Sequence, residues 1–367
     1  LKVLFVFGTR PEGIKMAPII KEIQKRDNIK SYTCVTGQHR EMLDQVLEIF
    51  DIKPDYDLNI FKKGQSLTEV TTKTLTGLEK VLDELKPDIL LVQGDTTTVF
   101  AAALAAFYKK IKIGHVEAGL RSGNIYSPYP EEANRKLTGI ITNLHFAPTE
   151  ANRQNLLKEG YDDKYIYITG NTVIDALKYS VKEDYTFGDE ILDNIDYNRE
   201  VILLTSHRRE NWGEPMENIF SAVRKVVEER ENVEVIFPVH LNPIVREVAN
   251  KYFSDLERVH LIEPLSYLPF SNLMSKVKFV VTDSGGVQEE APSLGKPVLV
   301  VRNETERMEG IEAKTAKLIG TKYEDVYTNI IALLDDKNLY DEMAKAVNPY
   351  GDGHAAKKIV DIIEKYS

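Results

Sequence analysis

Short apolar, β-branched runs alternate with amphipathic segments along most of this chain, and no other feature narrows the fold as much. The runs are Val3–Phe7, Tyr32–Val35, Ile89–Val92, Ile111–Val116 and Ile166–Thr169, then Val201–Thr205, Val233–Pro238, Val259–Ile262, Phe279–Thr282 and Val298–Val301. Between them, Ile14–Lys25, Leu67–Leu85, Thr96–Tyr108, Glu217–Glu229 and the final Ala355–Tyr366 repeat apolar residues at i, i+3 and i+4. That spacing describes helices burying one stripe and leaving a charged face in water. Strands alternating with helices predict parallel βαβ units. The runs fall into two sets around Gly170-Asn171, ahead of a charged stretch from Lys182 to Glu200. The expected fold is α/β, with two doubly wound, Rossmann-like lobes around a cleft. In such sheets ligands bind beyond the carboxyl ends of the strands, so the residues after each run are where chemistry is sought.

Composition removes several classes of function. Hydrophobic residues make up 43% of 367, enough for one or two cores. No apolar run approaches the roughly 18 to 20 residues of a bilayer span. A net charge of −10 repels a phosphate backbone, so nucleic acid is not an expected partner and any anionic ligand should be small. The one cysteine, Cys34, lies in the strand-like SYTCVTG. It excludes an intrachain disulfide framework and a cysteine zinc cluster, and fits a buried thiol in a reducing cytoplasm. The opening LKVLFVFG is too short for a signal peptide and reads as a first core strand of a mature protein.

Two glycine-bearing loops suit an anion. The first, VFGTRPEGIKMAP from Val6 to Pro18, offers Arg10 and Lys15 near a helix start. It is not a Walker loop, since Ile14 separates Gly13 from Lys15 and Met16 replaces the Ser/Thr that would hold magnesium. No G-x-G-x-x-G follows a strand, so a dinucleotide cofactor is disfavoured. The second loop, VVTDSGGVQEEAPSLGKP from Val280 to Pro297, places Ser284, Gly285 and Gly286 where a strand becomes a helix. Bare amides and a hydroxyl there can receive phosphate, and Glu289 and Glu290 can accept from ribose hydroxyls. Alternatively, Asp283 or Ser284 simply caps the helix.

Three carboxylates of the first lobe are candidate acids or bases: Asp95 in LVQGDTTT, Glu117 in GHVEAGLRSG and Glu131 in SPYPEEANR. Asp95 also suits the N-cap of a helix beginning at Thr96. Glu131 and Arg135, at i and i+4, also suit a plain helical ion pair. Glu117 lies beside His115 and Arg121, where burial among mixed charges can shift a carboxyl. In the second lobe, His207 with Arg208 and Arg209 follows one strand and His240 follows the next. Both histidines fit either a structural hydrogen bond or a cationic tip facing the cleft. No metal-ligand cluster stands out, Asp55-Tyr56-Asp57 reads as a turn, and the G-x-S-x-G of an acyl-transfer elbow is missing.

The ordered set FGTRPEGIKMAP, VTGQHREM, VQGDTTT, HVEAGLRSGN, PEEANR, TGNTVID, SHRREN, PVHLNP and TDSGGVQEEAPSLGKPVLVVRNETERMEG, ending in NPYGDGHAAKKI, closely resembles the non-hydrolysing UDP-N-acetylglucosamine 2-epimerases over nearly the whole chain. The resemblance implies a glycosyltransferase-B arrangement whose last helix returns to the first lobe, giving a sugar-side lobe of residues 1–169 with 350–367 and a UDP-binding lobe of 170–349. It implies interconversion of UDP-N-acetylglucosamine and UDP-N-acetylmannosamine without a cofactor or metal. The route would be loss of UDP to a 2-acetamidoglucal and its return with protonation at C2 from the other face. Asp95, Glu117 and Glu131 would be the acid/base group, their individual roles unassigned, with Lys15 and Arg135 organising them. His207 and Arg10 would stabilise the diphosphate, Ser284, Gly285 and Gly286 would donate to it, and Glu290 would hold the ribose. A cytoplasmic homodimer serving cell-surface polysaccharide synthesis is also implied.

The same resemblance implies an activating second UDP-N-acetylglucosamine at Gln38, His39, Gln65 and His240. Here Gly64 stands where the family commonly carries arginine, leaving Lys62 or Lys63 to supply that charge. Rival readings are a hydrolysing 2-epimerase, a UDP-sugar-dependent glycosyltransferase of the same fold and a non-catalytic nucleotide-sugar sensor. Three carboxylates on the sugar side favour epimerisation.

Overall fold

The computed structural model describes residues 1–37, 40–60 and 62–366. The chain divides into two compact units, residues 1–179 with 351–367 and residues 180–350. In the first, β1 (Lys2–Phe7), α1 (Arg10–Ile23), β2 (Lys30–Val35), α2 (Arg40–Ile49), β3 (Tyr56–Asp57), α3 (Leu67–Leu85), β4 (Ile89–Gln93), α4 (Thr97–Tyr108), β5 (Lys112–Val116), α5 (Glu131–Ile141), β6 (Leu144–Ala147), α6 (Glu150–Lys158), β7 (Ile166–Ile168) and α7 (Thr172–Ser180) follow one another. The seven strands form one parallel sheet in the order β3-β2-β1-β4-β5-β6-β7. The second unit contains α8 (Glu190–Asn194), β8 (Glu200–Thr205), α9 (Glu214–Glu229), β9 (Val233–Pro238), α10 (Pro243–Phe253), β10 (Val259–Ile262), α11 (Tyr267–Lys276), β11 (Phe279–Thr282), α12 (Gly285–Glu290), β12 (Val298–Val300), α13 (Met308–Glu312), β13 (Ala316–Leu318), α14 (Tyr323–Asp335) and α15 (Lys337–Lys345). Its sheet is also parallel, in the order β10-β9-β8-β11-β12-β13. Each unit is Rossmann-like, as the alternation predicts, because strands covered on both faces must be apolar throughout. Val3 to Phe7 are wholly buried, as are Val201, Leu203 and Leu204.

The final helix, α16 (Ala355–Tyr366), belongs to the first unit. Its buried stripe of Ile359, Val360 and Ile363 supplies most of the attachment, at about 1.5 to 3 kcal/mol for each fully buried side chain. Arg26 adds partly exposed pairs to Asp361 at 2.7 Å and Glu364 at 2.5 Å, which are worth less. Asp175 of α7 accepts from the Ala355 and Ala356 amides at 3.2 and 2.9 Å. That tie holds α7 in the first unit, so the units part after Tyr179, ten residues beyond the border expected at 169/170.

Local departures from the expected elements have physical causes. α1 starts at Arg10 instead of Ile14, because Thr9 and Glu12 form a capping box that begins the helix early. β3 takes two residues from the segment read as a turn. β6 and β13 escape the hydrophobic pattern, being four and three residues long and, for β6, directly following the apolar end of α5. Gly119 has φ +90°, and a Cβ there would lie 2.3 Å from the Asn152 carbonyl oxygen, so the turn after β5 needs glycine.

Candidate functional site

In the first unit the strand-end residues form two bonded groups, one on Glu117 and one on Asp95. Glu117, past the end of β5, takes Lys15 Nζ of α1 at 2.5 Å and Gln93 Nε2 of β4 at 2.7 Å on the same oxygen. It adopts φ +66°, a conformation uncommon outside glycine, which re-aims the chain at this point. Asp95 follows β4 and takes two donors from Arg135, Nε at 3.0 Å and a terminal nitrogen at 2.7 Å. The Asp95 carbonyl accepts from Asn134 at 2.9 Å, so α5 holds this turn twice. Asp95 is not the helix cap: Thr96 is, its hydroxyl accepting from Val99 N.

The expected Glu131–Arg135 pair is not formed. Arg135 turns instead to Glu132, three residues back and fully buried, at 3.0 Å. Glu132 also accepts from Gly123 N at 3.1 Å. Helical spacing allows both i+3 and i+4 partners, so only burial decides between neighbouring glutamates. The side chains of Glu131 and Arg10 make no hydrogen bond or ion pair to another described residue. Arg121, expected beside Glu117, binds Glu159 at 2.8 and 2.9 Å. His115 is buried with Nε2 2.7 Å from the Gly94 carbonyl, and burial pushes its pKa down to about 4. It is a neutral structural histidine behind the group.

In the second unit Asp283, at the end of β11, is completely buried. Its Oδ2 accepts from the His207 and Arg208 amides at 2.9 and 3.0 Å, the Ser206 hydroxyl at 3.2 Å and Asn211 Nδ2 at 3.1 Å. His207 Nδ1 lies 3.1 Å from Oδ1. Burial would raise this carboxyl, but hydrogen bonding and charge from His207, with the two amides, hold it below the ordinary range. Asp283 therefore orients His207 and does not cap α12. Ser284 occupies the N-cap position without a side-chain cap bond. A Cβ on Gly285 would lie 3.0 Å from the Arg307 guanidinium carbon, so glycine there lets Arg307 cross the loop to Glu289 at 3.0 Å. Glu289 is thereby engaged, and half-buried Glu290 is the glutamate nearer Gly286.

The rings of His207 and His240 stack at 5.8 Å with 21° between planes. Gln65 is half-buried, and its Oε1 has no partner among the described residues. Lys62 Nζ is 3.9 Å from Glu69, and Gly64 stands in open space at φ +75°. Gln38 and His39 lie outside the described residues. Among the described residues no cluster of three or more His, Cys, Asp or Glu is arranged for a metal, and no helix is long and apolar enough to cross a membrane.

Reasoning from sequence passed over Glu12, Glu132, Gln93 and Asp283 as partners that hold the others. Thr9-x-x-Glu12 carried a readable capping signature. The remaining three show themselves only through tertiary contacts.

Two parallel-sheet units with polar groups gathered past the strand ends define a glycosyltransferase-B-like protein acting on small ligands. The family model for UDP-N-acetylglucosamine 2-epimerase matches residues 21–364. A UDP-N-acetylglucosamine 2-epimerase of Bacillus subtilis is 58% identical over 98% of this chain and 94% of its own. The Neisseria meningitidis UDP-GlcNAc 2-epimerase, solved bound to UDP-GlcNAc, is 51% identical, with full coverage of both chains and a TM-score of 0.87. The Methanocaldococcus jannaschii enzyme, solved with UDP-GlcNAc and UDP, is 34% identical, with full coverage of both and a TM-score of 0.75. The chain belongs to the UDP-N-acetylglucosamine 2-epimerase family.

Proposed function

We propose that this protein interconverts UDP-N-acetylglucosamine and UDP-N-acetylmannosamine without hydrolysis and without a cofactor. The observation that carries the reading is the carboxylate group of the first unit. Glu117 and Asp95 are held by Lys15 and Arg135, and Glu131 opens the helix that carries Arg135. A carboxylate there takes the C2 proton, the C–H electron pair becomes the C1=C2 bond, and the C1–O bond breaks with its electrons leaving on UDP. On return, a phosphate oxygen of UDP attacks C1 and C2 gains a proton from the opposite face. His207, Arg10, Ser284, Gly285 and Gly286 stabilise the departing diphosphate, and Glu290 holds the ribose. The first unit serves the sugar in this reading, and the second serves UDP. The relatives solved with UDP-GlcNAc support this substrate.

The test is proton NMR with UDP-N-acetylglucosamine alone in D2O. The epimer should form with deuterium at C2, whereas free N-acetylmannosamine would indicate the hydrolysing reaction and an unchanged sugar a transferase or sensor. Gln65 and His240, with Gln38 and His39, are proposed to bind an activating UDP-N-acetylglucosamine. In the same assay started from UDP-N-acetylmannosamine, a lag removed by added UDP-N-acetylglucosamine supports that site, and immediate full velocity removes it. We also propose a cytoplasmic homodimer. Exposed Phe107 and Tyr108 of α4 and Leu137 and Ile140 of α5 offer apolar surface to a second copy, and a monomer in sedimentation equilibrium would exclude it.

A further inference from the structure

β1 and β4 are neighbours in the first sheet although β2 and β3 lie between them in sequence, so the winding reverses at this pair. The crevice beyond two such strands is where open α/β sheets bind ligands. One buried side chain spans it. Glu12 Oε2 accepts from Gly8 N and Thr9 N on the β1 side, each at 2.8 Å, and Oε1 accepts from the Thr96 hydroxyl on the β4 side at 2.5 Å. Thr9 and Glu12 launch α1 and with it Arg10 and Lys15, and Lys15 holds Glu117. Thr96 adjoins Asp95 and caps α4.

Capping alone does not require this arrangement. Ser66 and Glu69 form the same capping box on α3, but exposed to water, with only a loose 3.9 Å pair from Glu69 to Lys62 in the loop just ahead of its own helix and no bond to another strand-end loop. Glu12 is 2% exposed, and burial raises its pKa above the ordinary carboxyl value. A carboxyl kept in such a place opposes folding unless its donors are all made. The extra reach to Thr96 is what distinguishes this cap.

We propose that Glu12 is a positioning residue that, through Thr96, keeps Asp95 in register with Arg10, Lys15 and Glu117. The inference rests on the epimerase reading of the site. A slack link leaves substrate binding intact but misplaces one carboxylate from the C2 proton, an error that costs rate more than affinity.

Thr96→Val removes the hydroxyl and keeps the β-branch, and Thr96→Ser keeps the hydroxyl. Thr96→Val should lower kcat by about 10- to 100-fold with KM within about twofold, and Thr96→Ser should recover most of the rate. Glu12→Gln preserves length and an acceptor for the two amides but turns the Thr96 contact round, the carboxamide donating to the hydroxyl. It should lower kcat less than Thr96→Val, with KM unchanged, and reads the same link in weaker form if Thr96→Val is too unstable to assay. Wild-type kcat in both Thr96→Val and Glu12→Gln, with only the melting temperature reduced, would overturn the inference and make Glu12 a simple cap. Wild-type protein run alongside in D2O separates the two failures, since loss of C2 exchange there removes the epimerase reading itself.

Discussion

Both sheets reverse their strand order once, and at each reversal a buried carboxylate crosses from one loop to the other, but the two crossings differ in density. In the second unit Asp283 gathers two amides, a hydroxyl, a carboxamide and the His207 ring. In the first unit Glu12 gathers two amides, the Thr96 hydroxyl and, more weakly, the Thr9 hydroxyl, with no ring and no carboxamide. Asp95 and Glu117 are held there by the long side chains of Arg135 and Lys15, and the Glu131 side chain has no partner among the described residues. The donors of the second unit are spent on Asp283, and what they fix is His207, which suits the contact proposed for it with a leaving diphosphate, best met by groups already in place. Carboxylates that exchange protons with a sugar carbon need a looser setting in which protonation state can change.

The largest expected effect falls on the looser side. Asp95→Asn, Glu117→Gln and Glu131→Gln should each lower kcat by about 10² or more with nearly unchanged stability. Normal turnover in all three would place the chemistry elsewhere. On the denser side, Asp283→Ala strands the His207 and Arg208 amides and Asn211 in a buried site, so it should cost about 3 kcal/mol of stability in the second unit. Calorimetry checks this, and a melting temperature lowered by less than a degree would show that the crossing is not the brace described.

The smallest effect concerns acid. His115 and His145 both lie in the first unit, and burial pushes their pKa values from 6.5 down to about 4 and about 3. Unfolded histidines take up protons near 6.5 and the folded ones do not, so their contribution is complete above that value and is lost as pH falls towards 4. Glu12 and Asp175, raised by burial, act in the opposite sense and offset part of the loss. In the second unit Asp283 lies below its ordinary 3.8. Glu306 is held at about 2 because bonds and charge from its own backbone, Arg307 and Arg302 outweigh burial. Hydrogen exchange at pH 5 should therefore speed up in the first unit before the second. Equal loosening of both would break the contrast.

Strand-helix alternation and the strand-end positions of Asp95, Glu117 and His207 were legible in the sequence, because buried parallel strands must be apolar throughout and ligand groups must follow them. So was the Thr9–Glu12 cap, whose residues are three apart. The partners were not legible. Arg135 chooses Glu132 over Glu131 because only Glu132 is buried, and Arg121 serves Glu159, 38 residues away. Asp283 reads as a cap until β8 is placed beside β11, 76 residues from His207 to itself. Local spacing determines which elements form and which residues stand at their ends. Only tertiary packing decides which side chains lose water, and a side chain that loses water must take whichever partner the neighbouring strand supplies.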